Sequence, residues 1–222
     1  MDRQMILKSI ESYYELALKN LLRNMPQIMS KTLAQDKDYR KIMLKKKAQD
    51  VIFFKPEERV SNGYKYVIFP KSYGKSDYKR KGLIYHVVTP FYIDGRQFYI
   101  LYNKDFTACQ VYTKHFFERY MERHLGLYGT PDYYIISNYL KDTDCVVAYS
   151  DINIDKYENC IYGSTRIGVG CGTRISQNVI LFNTYIDNST VVNGLKKEIK
   201  NVGCKLFSQL FDKHGVRVAF LP

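Results

Sequence analysis

The chain has 222 residues, of which 45% are hydrophobic and 25% are charged, the usual mix of a soluble globular protein. This composition argues against general disorder, and no apolar run approaches the roughly 20 residues of a membrane-spanning helix. The formal charge is +12, and residues 1–130 carry 24 basic and 13 acidic side chains, a net charge of +11. So basic a region predicts a polyanionic partner, either nucleic acid or an anionic membrane surface.

The cysteines and histidines indicate the compartment and limit the chemistry. Five cysteines, an odd number without a C-x-x-C pair, favour reduced thiols and a cytoplasmic location. Acidic residues interrupt the apolar ones in the first thirty positions, so we expect no secretory signal. Of the two kinds of polyanion, nucleic acid is the expected partner, and we expect no membrane partner. Only four histidines are present and none belongs to an H-E-x-x-H motif, so we expect no metal and no cofactor.

Two helices are predicted at the start of the chain. Apolar residues recur at steps of three and four over residues 3–24, which is typical of an amphipathic helix. This apolar stripe, formed by five residues, should dock on the body or on a second copy: Leu7, Ile10, Tyr14, Ala17 and Leu21. Pro26 should stop or kink that helix. A second helix is predicted over 28–48, and residues 1–50 then form an N-terminal helical region.

Strand signals dominate the middle of the chain. The dipeptide Asp94-Gly95 lies between two apolar runs, 83–93 and 97–102, and such a turn predicts a hairpin because it requires positive φ. A third strand, 109–112, should lead directly into a helix over 115–125, with Thr113 as N-cap and Gly126 as C-terminal stop. Residues 71–81 are predicted to form a polar loop.

The remaining segments mix helices and strands. A helix is predicted over 131–140, strands over 145–149 and 179–186, and further helices over 189–212 before a closing strand at 216–220. Residues 160–172 are rich in glycine and predict a loop or a bulged strand. The whole order predicts an α+β fold, in which N-terminal helices precede an antiparallel sheet with packed helices over residues 51–222.

One helix carries the most informative pattern. At about 100° per residue, His115, Arg119 and Arg123 share one face with Glu118 and Glu122, while the aromatic residues occupy the other face. This polar face has two interpretations: an exposed surface laced by ion pairs, or a site for phosphoryl transfer on RNA. In the second, an imidazole takes a proton and guanidiniums hold the phosphate. His124, on the apolar side, is expected to be a hydrogen-bonded core residue.

This strand-then-helix pattern, Tyr112-Thr-Lys-His115-x-x-x-Arg119-x-x-x-Arg123, resembles metal-independent ribonuclease toxins of the barnase/RelE-like group. In those families a strand that bears threonine or tyrosine often completes the site, and residues 183–186 are similar to it. The resemblance covers two short pieces within residues 83–195. It implies that His115 is the base or acid, that the two arginines bind phosphate, and that Thr184 or Tyr185 orients it.

Further basic residues are candidates for nucleic-acid contacts. The lysine run at the end of the second predicted helix is either a solvated helix end or a phosphate contact. Tyrosines alternate with basic residues over 64–81. This pattern is typical of surfaces that bind single-stranded nucleic acid, because bases stack on aromatic rings. Glycines flanked by arginines would let RNA approach the backbone of the glycine-rich segment. The predicted nucleic-acid-binding residues are Lys45, Lys46, Lys47, Lys79, Arg80, Lys114, Arg166 and Arg174.

These patterns support two main hypotheses. The first is a basic, cytoplasmic RNA-binding protein that cleaves RNA without a metal, in the manner of a toxin. The second is a non-catalytic nucleic-acid-binding or assembly protein. A protein–protein adaptor that uses the N-terminal apolar stripe is a weaker third. RNA is the expected nucleic acid, and a homo-oligomer or an inhibitory protein partner would fit the first hypothesis.

Overall fold

The computed structural model describes residues 2–34, 36–45, 52–72, 75–143, 148–151, 160–165 and 167–187. The described helices are α1 (Arg3–Ala34), α2 (Asp36–Lys45), α3 (Lys75–Lys81), α4 (Lys114–His124) and α5 (Tyr133–Asp142). The described strands are β1 (Ile52–Phe53), β2 (Glu57–Ser61), β3 (Tyr64–Ser72), β4 (Ile84–Ile93), β5 (Arg96–Tyr102), β6 (Cys109–Thr113), β7 (Ala148–Asp151), β8 (Cys160–Ser164), β9 (Gly168–Ser176) and β10 (Val179–Asp187). The fold is α+β, as the sequence predicts.

The ten described strands form one mixed, mostly antiparallel sheet. Its order is β1-β3-β4-β5-β6-β10-β9-β8-β7, and β2 pairs with β3 as well. The exception to the antiparallel prediction is β10, which runs parallel to β6, with Val179 opposite Cys109 and Phe182 opposite Tyr112. Parallel neighbours need a crossover, and the described part of the chain between these two strands contains two helices and three strands. The parallel pair brings residues of β10 beside the start of α4.

Each face of the sheet carries its own apolar cluster. On one face, the rings of α4 and α5 pack with residues of β5, β6 and β10. On the other face, the apolar stripe of α1 is buried as predicted against the sheet itself, with Ile10, Tyr14, Ala17 and Leu21 almost inaccessible to solvent. The N-terminal helix and the strands therefore share one core, while the predicted domain boundary at residue 50 stays a prediction.

Pro26 does not end the first helix, which continues through it to Ala34. A proline inside a helix removes one backbone hydrogen bond and clashes with the preceding turn. Ile28, just beyond it, is buried in the same cluster as the sheet residues. Burial on the sheet therefore outweighs the local preference to stop.

Several local predictions are confirmed and others shift. Asp94 and Gly95 both have positive φ (51° and 71°) in the tight turn between β4 and β5. Gly126, which also has a positive φ, follows the end of α4. Part of the predicted loop 71–81 is helical in α3, and α5 begins after its N-cap Asp132 rather than at Pro131. The predicted elements at 189–212 and 216–220 lie outside the described residues.

Candidate functional site

The start of α4 is fixed by one threonine. The hydroxyl of Thr113 accepts a hydrogen bond from the Phe116 amide (3.1 Å), so Thr113 is the N-cap, as its sequence position predicts. The same hydroxyl donates to the main-chain carbonyl of Asn183 in β10 (2.9 Å). This pair of bonds ties the first turn of α4 to the neighbouring parallel strand.

The amphipathic pattern sets the orientation of α4. Four side chains on its inner face are buried against the sheet: Phe116, Phe117, Tyr120 and Met121. These rings pack edge-on against one another and against Tyr112, so the helix cannot rotate without opening the core. The side chain of His115 lies on the outer face and is 53% exposed.

A cleft of about 1020 Å³ opens at the N-terminal end of α4. Its walls are the start of α1, the β4–β5 hairpin, the first turn of α4 and the middle of β10. We call this space the hairpin cleft. Residues from positions as distant as 3 and 183 meet there, because the parallel pairing of β6 and β10 places the two strands side by side.

The charged side chains that line the hairpin cleft are mostly basic. Arg3, Arg96 and Lys114 contribute one cation each from three separate elements. Glu118 is the one carboxylate that lines the cleft among the described residues, and its Oε1 lies 3.4 Å from Nζ of Lys114. The arrangement leaves an excess of positive charge around His115, which also lines the cleft. Such a concave basic surface raises the local concentration of anions.

The imidazole of His115 lies between the carboxylate of Glu118 and the guanidinium of Arg119. Its Nδ1 is 3.6 Å from Oε2 of Glu118, and its Nε2 is 3.4 Å from Nε of Arg119, which donates to it. These contacts are long and solvent-exposed, so they orient the ring without locking it. A histidine next to a carboxylate, open to a basic cleft, is positioned to exchange protons with a bound anion.

The two predicted phosphate-binding arginines do not line the cleft. Arg119 donates from a terminal guanidinium nitrogen to Oε2 of Glu122 at 2.6 Å, the kind of exposed ion pair that a solvated helix face also makes. Arg123 lies about one turn further on and donates to the main-chain carbonyl of Tyr185 at 2.6 Å. Of the three residues in the predicted row, His115, Arg119 and Arg123, only His115 therefore lines the hairpin cleft.

The predicted threonine and tyrosine of β10 lie away from the cleft as well. Thr184 is half-buried and is not part of the cleft lining. Tyr185 is 0% exposed, and its hydroxyl lies 2.9 Å from the carbonyl of Ile167 and 3.2 Å from Oδ2 of Asp187. Burial, together with the Asp187 carboxylate, raises the pKa of Tyr185. His115 and Thr184 are thus not brought together by the hairpin cleft.

A second polar cluster lies at the C-terminal end of α4. Nδ1 of His124 is 2.9 Å from Oδ2 of Asp187, and its Nε2 is 3.6 Å from Oδ2 of Asp142. The hydroxyl of Tyr120 donates to the same Asp142 oxygen at 2.5 Å. His124 is therefore a hydrogen-bonded residue that joins α4 to α5 and β10, as its position on the apolar side predicts.

The other predicted nucleic-acid-binding residues are spread over the molecule. Lys114 lines the cleft, whereas Lys79 and Arg80 are exposed on α3 and Arg174 is half-buried on β9, all outside it. Lys45 is the last residue of α2. Lys46, Lys47 and Arg166 lie outside the described residues. Among the described members of this set, the cleft contains only Lys114.

The glycines of the glycine-rich segment serve close packing. A Cβ on Gly168 would lie 2.5 Å from the carbonyl oxygen of Ile186, and one on Gly172 would lie 2.1 Å from that of Leu181. A Cβ on Gly170 would lie 2.9 Å from the ring of Phe182. The space into which a side chain would extend from these three glycines is occupied by strand β10 and, at Gly170, also by the ring of Phe116.

Sequence reasoning missed several residues of the cleft. Arg96 directly follows the Asp94-Gly95 turn, so its place at a hairpin tip was visible in the sequence, although its partners were not. Arg3 lies more than 90 residues away from the other cations, and no sequence signal connects it to them. Glu118 was placed on the correct helix face but was assigned no role.

Comparison of the chain with protein-family models, with curated proteins and with solved structures finds no match. Among the described residues, no three histidine, cysteine, aspartate or glutamate side chains are grouped to hold a metal ion. No helix in the described part of the chain has the length and apolar character needed to cross a membrane. The hairpin cleft is therefore interpreted from its own geometry.

Proposed function

We propose that this protein binds RNA in the hairpin cleft and cleaves the bound strand without a metal ion. One observation carries the proposal: Arg3, Arg96 and Lys114, from three separate elements, line the same cleft as an exposed histidine with a carboxylate beside it. Separate cations match the regularly spaced phosphates of a nucleic-acid backbone. The His115–Glu118 pair supplies the two groups that proton transfer to and from a phosphodiester requires.

The reaction is an internal transesterification. The carboxylate of Glu118 accepts the proton of the ribose 2′-hydroxyl, whose oxygen attacks the adjacent phosphorus. The bond from phosphorus to the 5′-oxygen breaks, and His115 in its protonated form gives that oxygen a proton. The products are a 2′,3′-cyclic phosphate and a free 5′-hydroxyl, so atoms and charge balance. Lys114 and Arg96 stabilise the negative charge that grows on the phosphoryl oxygens.

The identity of the acid and the base follows from their surroundings. Oε1 of Glu118 lies 3.4 Å from Nζ of Lys114, beside a cation that is proposed to stabilise the phosphoryl oxygens. His115 is the more exposed of the two and is free to turn toward a leaving group. We propose a cytoplasmic location as well, supported by the odd cysteine count and by the buried free thiol of Cys109. An inhibitory protein or a second copy would then be the natural regulator.

The test is single-turnover cleavage of a labelled RNA in the presence of a chelator. We expect His115→Ala to slow cleavage by a factor of about 100 to 10,000, which is typical for loss of a general acid or base. Glu118→Gln should have a comparable effect. Glu122→Gln is the matched control, because Glu122 lies on the same helix face but does not line the cleft. Melting curves of all variants separate lost chemistry from lost folding.

Binding is measured in the same samples over a range of salt concentrations. Each phosphate contact on a single strand should lower log K by about 0.7 per decade of salt. Arg96→Ala should reduce this slope by roughly one contact, whereas Lys141→Ala, an exposed charge outside the cleft, should leave it unchanged. Salt-dependent binding without cleavage would favour the non-catalytic alternative. Absence of binding at low salt would contradict both, and undiminished cleavage by His115→Ala would move the site elsewhere.

A further inference from the structure

The β4–β5 hairpin carries an exposed tyrosine, Tyr92, close to its tip. Tyr92 lines the hairpin cleft and is 67% exposed, although the ring could pack on the sheet like most of its neighbours. Its Cα partner across the β4–β5 ladder is Gln97. Directly paired residues of an antiparallel ladder project to the same face, with Cβ atoms about 5 Å apart. The ring and the carboxamide therefore stand side by side in the cleft.

A second carboxamide faces the same space. Asn183 of β10 lines the cleft, and its main-chain carbonyl is held by the hydroxyl of Thr113 (2.9 Å), which fixes the backbone from which the side chain extends. Within the described part of the chain, neither the Asn183 nor the Gln97 carboxamide makes a hydrogen bond. Each thus offers an unused donor and an unused acceptor. Two apolar side chains, Phe98 and Leu181, also line the cleft, and both belong to the cluster that packs against α1.

These features match the chemistry of a nucleobase. A base has a flat π face, which stacks on aromatic rings, and an edge that alternates donors and acceptors, which carboxamides recognise in pairs. We propose that Tyr92, Gln97 and Asn183 form a base-recognition subsite that takes one unpaired nucleotide of a single strand. The proposal rests on the proposed function, since Arg96 and Lys114 in the same cleft would hold the flanking phosphates. A duplex is not the expected ligand, because its bases are stacked on one another and their faces are closed to the ring of Tyr92.

Two consequences distinguish this subsite from a general basic cleft. Binding should depend on the identity of the base, because the two carboxamides form hydrogen bonds with some base edges and are left unpaired by others. Binding should also depend on an aromatic ring at position 92, whatever the base. Phosphate contacts alone give neither result, because they carry no sequence information.

The test uses four fluorescent 8-mers, each with a single type of base and with 2′-fluoro sugars that cannot be cleaved. Dissociation constants are measured by anisotropy at several salt concentrations. We expect the strongest and weakest 8-mers to differ at least about tenfold. The double variant Gln97→Ala/Asn183→Ala should reduce this difference to about twofold or less without changing the salt slope. Gln177→Ala, an exposed carboxamide in the β9–β10 turn, is the control.

The aromatic ring is tested separately. Tyr92→Ala should weaken every 8-mer by about 5- to 100-fold, the usual loss of one stacking partner, and Tyr92→Phe should restore binding. Tyr134→Ala removes a ring that is similarly exposed (65%) but outside the cleft, and it should have no effect.

The outcomes separate the subsite from the proposed function. Equal, salt-dependent binding of all four 8-mers would overturn the base-recognition subsite and leave RNA binding intact. Unchanged affinity in Tyr92→Ala would likewise reject the stacking role. If none of the four strands bound at low salt, the proposed function and the subsite would both be wrong.

Discussion

The two ends of helix α4 carry similar residue types in opposite circumstances. At the N-terminal end, His115 makes only long contacts with Glu118 and Arg119 and opens into a basic cleft. At the C-terminal end, His124 makes a 2.9 Å contact with Asp187 and stacks on Tyr120, with a second carboxylate close by. One end has unused hydrogen-bonding capacity, while the other has its donors and acceptors engaged.

This difference separates binding groups from structural groups. A polar side chain whose partners are all protein atoms stabilises the fold, and a ligand would have to displace those partners. A polar side chain that keeps its capacity toward solvent can bind a ligand at little structural cost. By this criterion Arg123, whose guanidinium holds the Tyr185 carbonyl, belongs with the C-terminal cluster. His115 belongs with the cleft.

The largest expected effect lies at the C-terminal end. Tyr185→Ala should lower the free energy of unfolding by about 3–5 kcal/mol, because the ring is fully buried between α4 and the sheet and would leave a cavity. Tyr185→Phe, which keeps the ring, should cost only about 1 kcal/mol for the hydroxyl contacts. Urea unfolding of both variants measures the difference. Thr184→Ala, at the neighbouring half-buried position, serves as control, and an equal loss there would contradict the assignment.

The two histidines of α4 allow the most direct comparison. His124→Ala removes one of the partners of Asp187 and should cost about 1.5–3 kcal/mol of stability, the usual contribution of a hydrogen bond to a charged group. His115→Ala should change stability by less than about 0.5 kcal/mol, because its contacts are exposed and long. Thermal unfolding of the two variants beside the wild type gives the answer. Similar losses at both positions would mean that the ends of the helix do not differ in kind.

Much of the local structure was predictable from the sequence. The Asp94-Gly95 turn, the Thr113 N-cap and the buried face of α4 depend on neighbours within a few positions, where turn chemistry and helical periodicity act. The docking of the α1 stripe on the body was also predictable, because its apolar pattern requires a partner. The continuation of α1 through Pro26 was not, since it depends on burial of Ile28 by distant strands.

The candidate site was predictable only in part, for the same reason. His115 and Lys114 were found because they share a helix turn. Arg3 and Asn183 join them through the packing of α1 and the parallel pairing of β10, and neither has a local signal. Tyr185 was grouped with the site because residues 183–186 resemble the strand that completes the site in the ribonuclease toxins, but the strand register decides which side chains face the core. In β10 that register shifts between Phe182 and Thr184, and Tyr185 faces the core.

The smallest expected effect concerns alkaline pH. Burial raises the pKa of both Tyr120 and Tyr185, and Asp142 and Asp187, respectively, add to the shift. Above pH 10, where an ordinary tyrosine ionises, the unfolded chain therefore loses two protons that the native state keeps. Rising pH then favours the unfolded state, and the stability lost at pH 10.5 is roughly 0.8 kcal/mol for each tyrosine.

The double variant Tyr120→Phe/Tyr185→Phe cannot release these protons, so it should lose less stability than the wild type between pH 8 and pH 10.5. Urea unfolding at the two pH values measures the change in stability of each protein. The cost of the missing hydroxyl groups is the same at both pH values and therefore does not affect that change. Tyr92→Phe is the control at the other end of α4, since that ring is already largely in solvent in the native state. Its pH dependence should match the wild type. If the double variant lost as much stability as the wild type between the two pH values, the native state would not keep these two protons. The C-terminal end of α4 would then not differ from the N-terminal end in the burial of its polar groups.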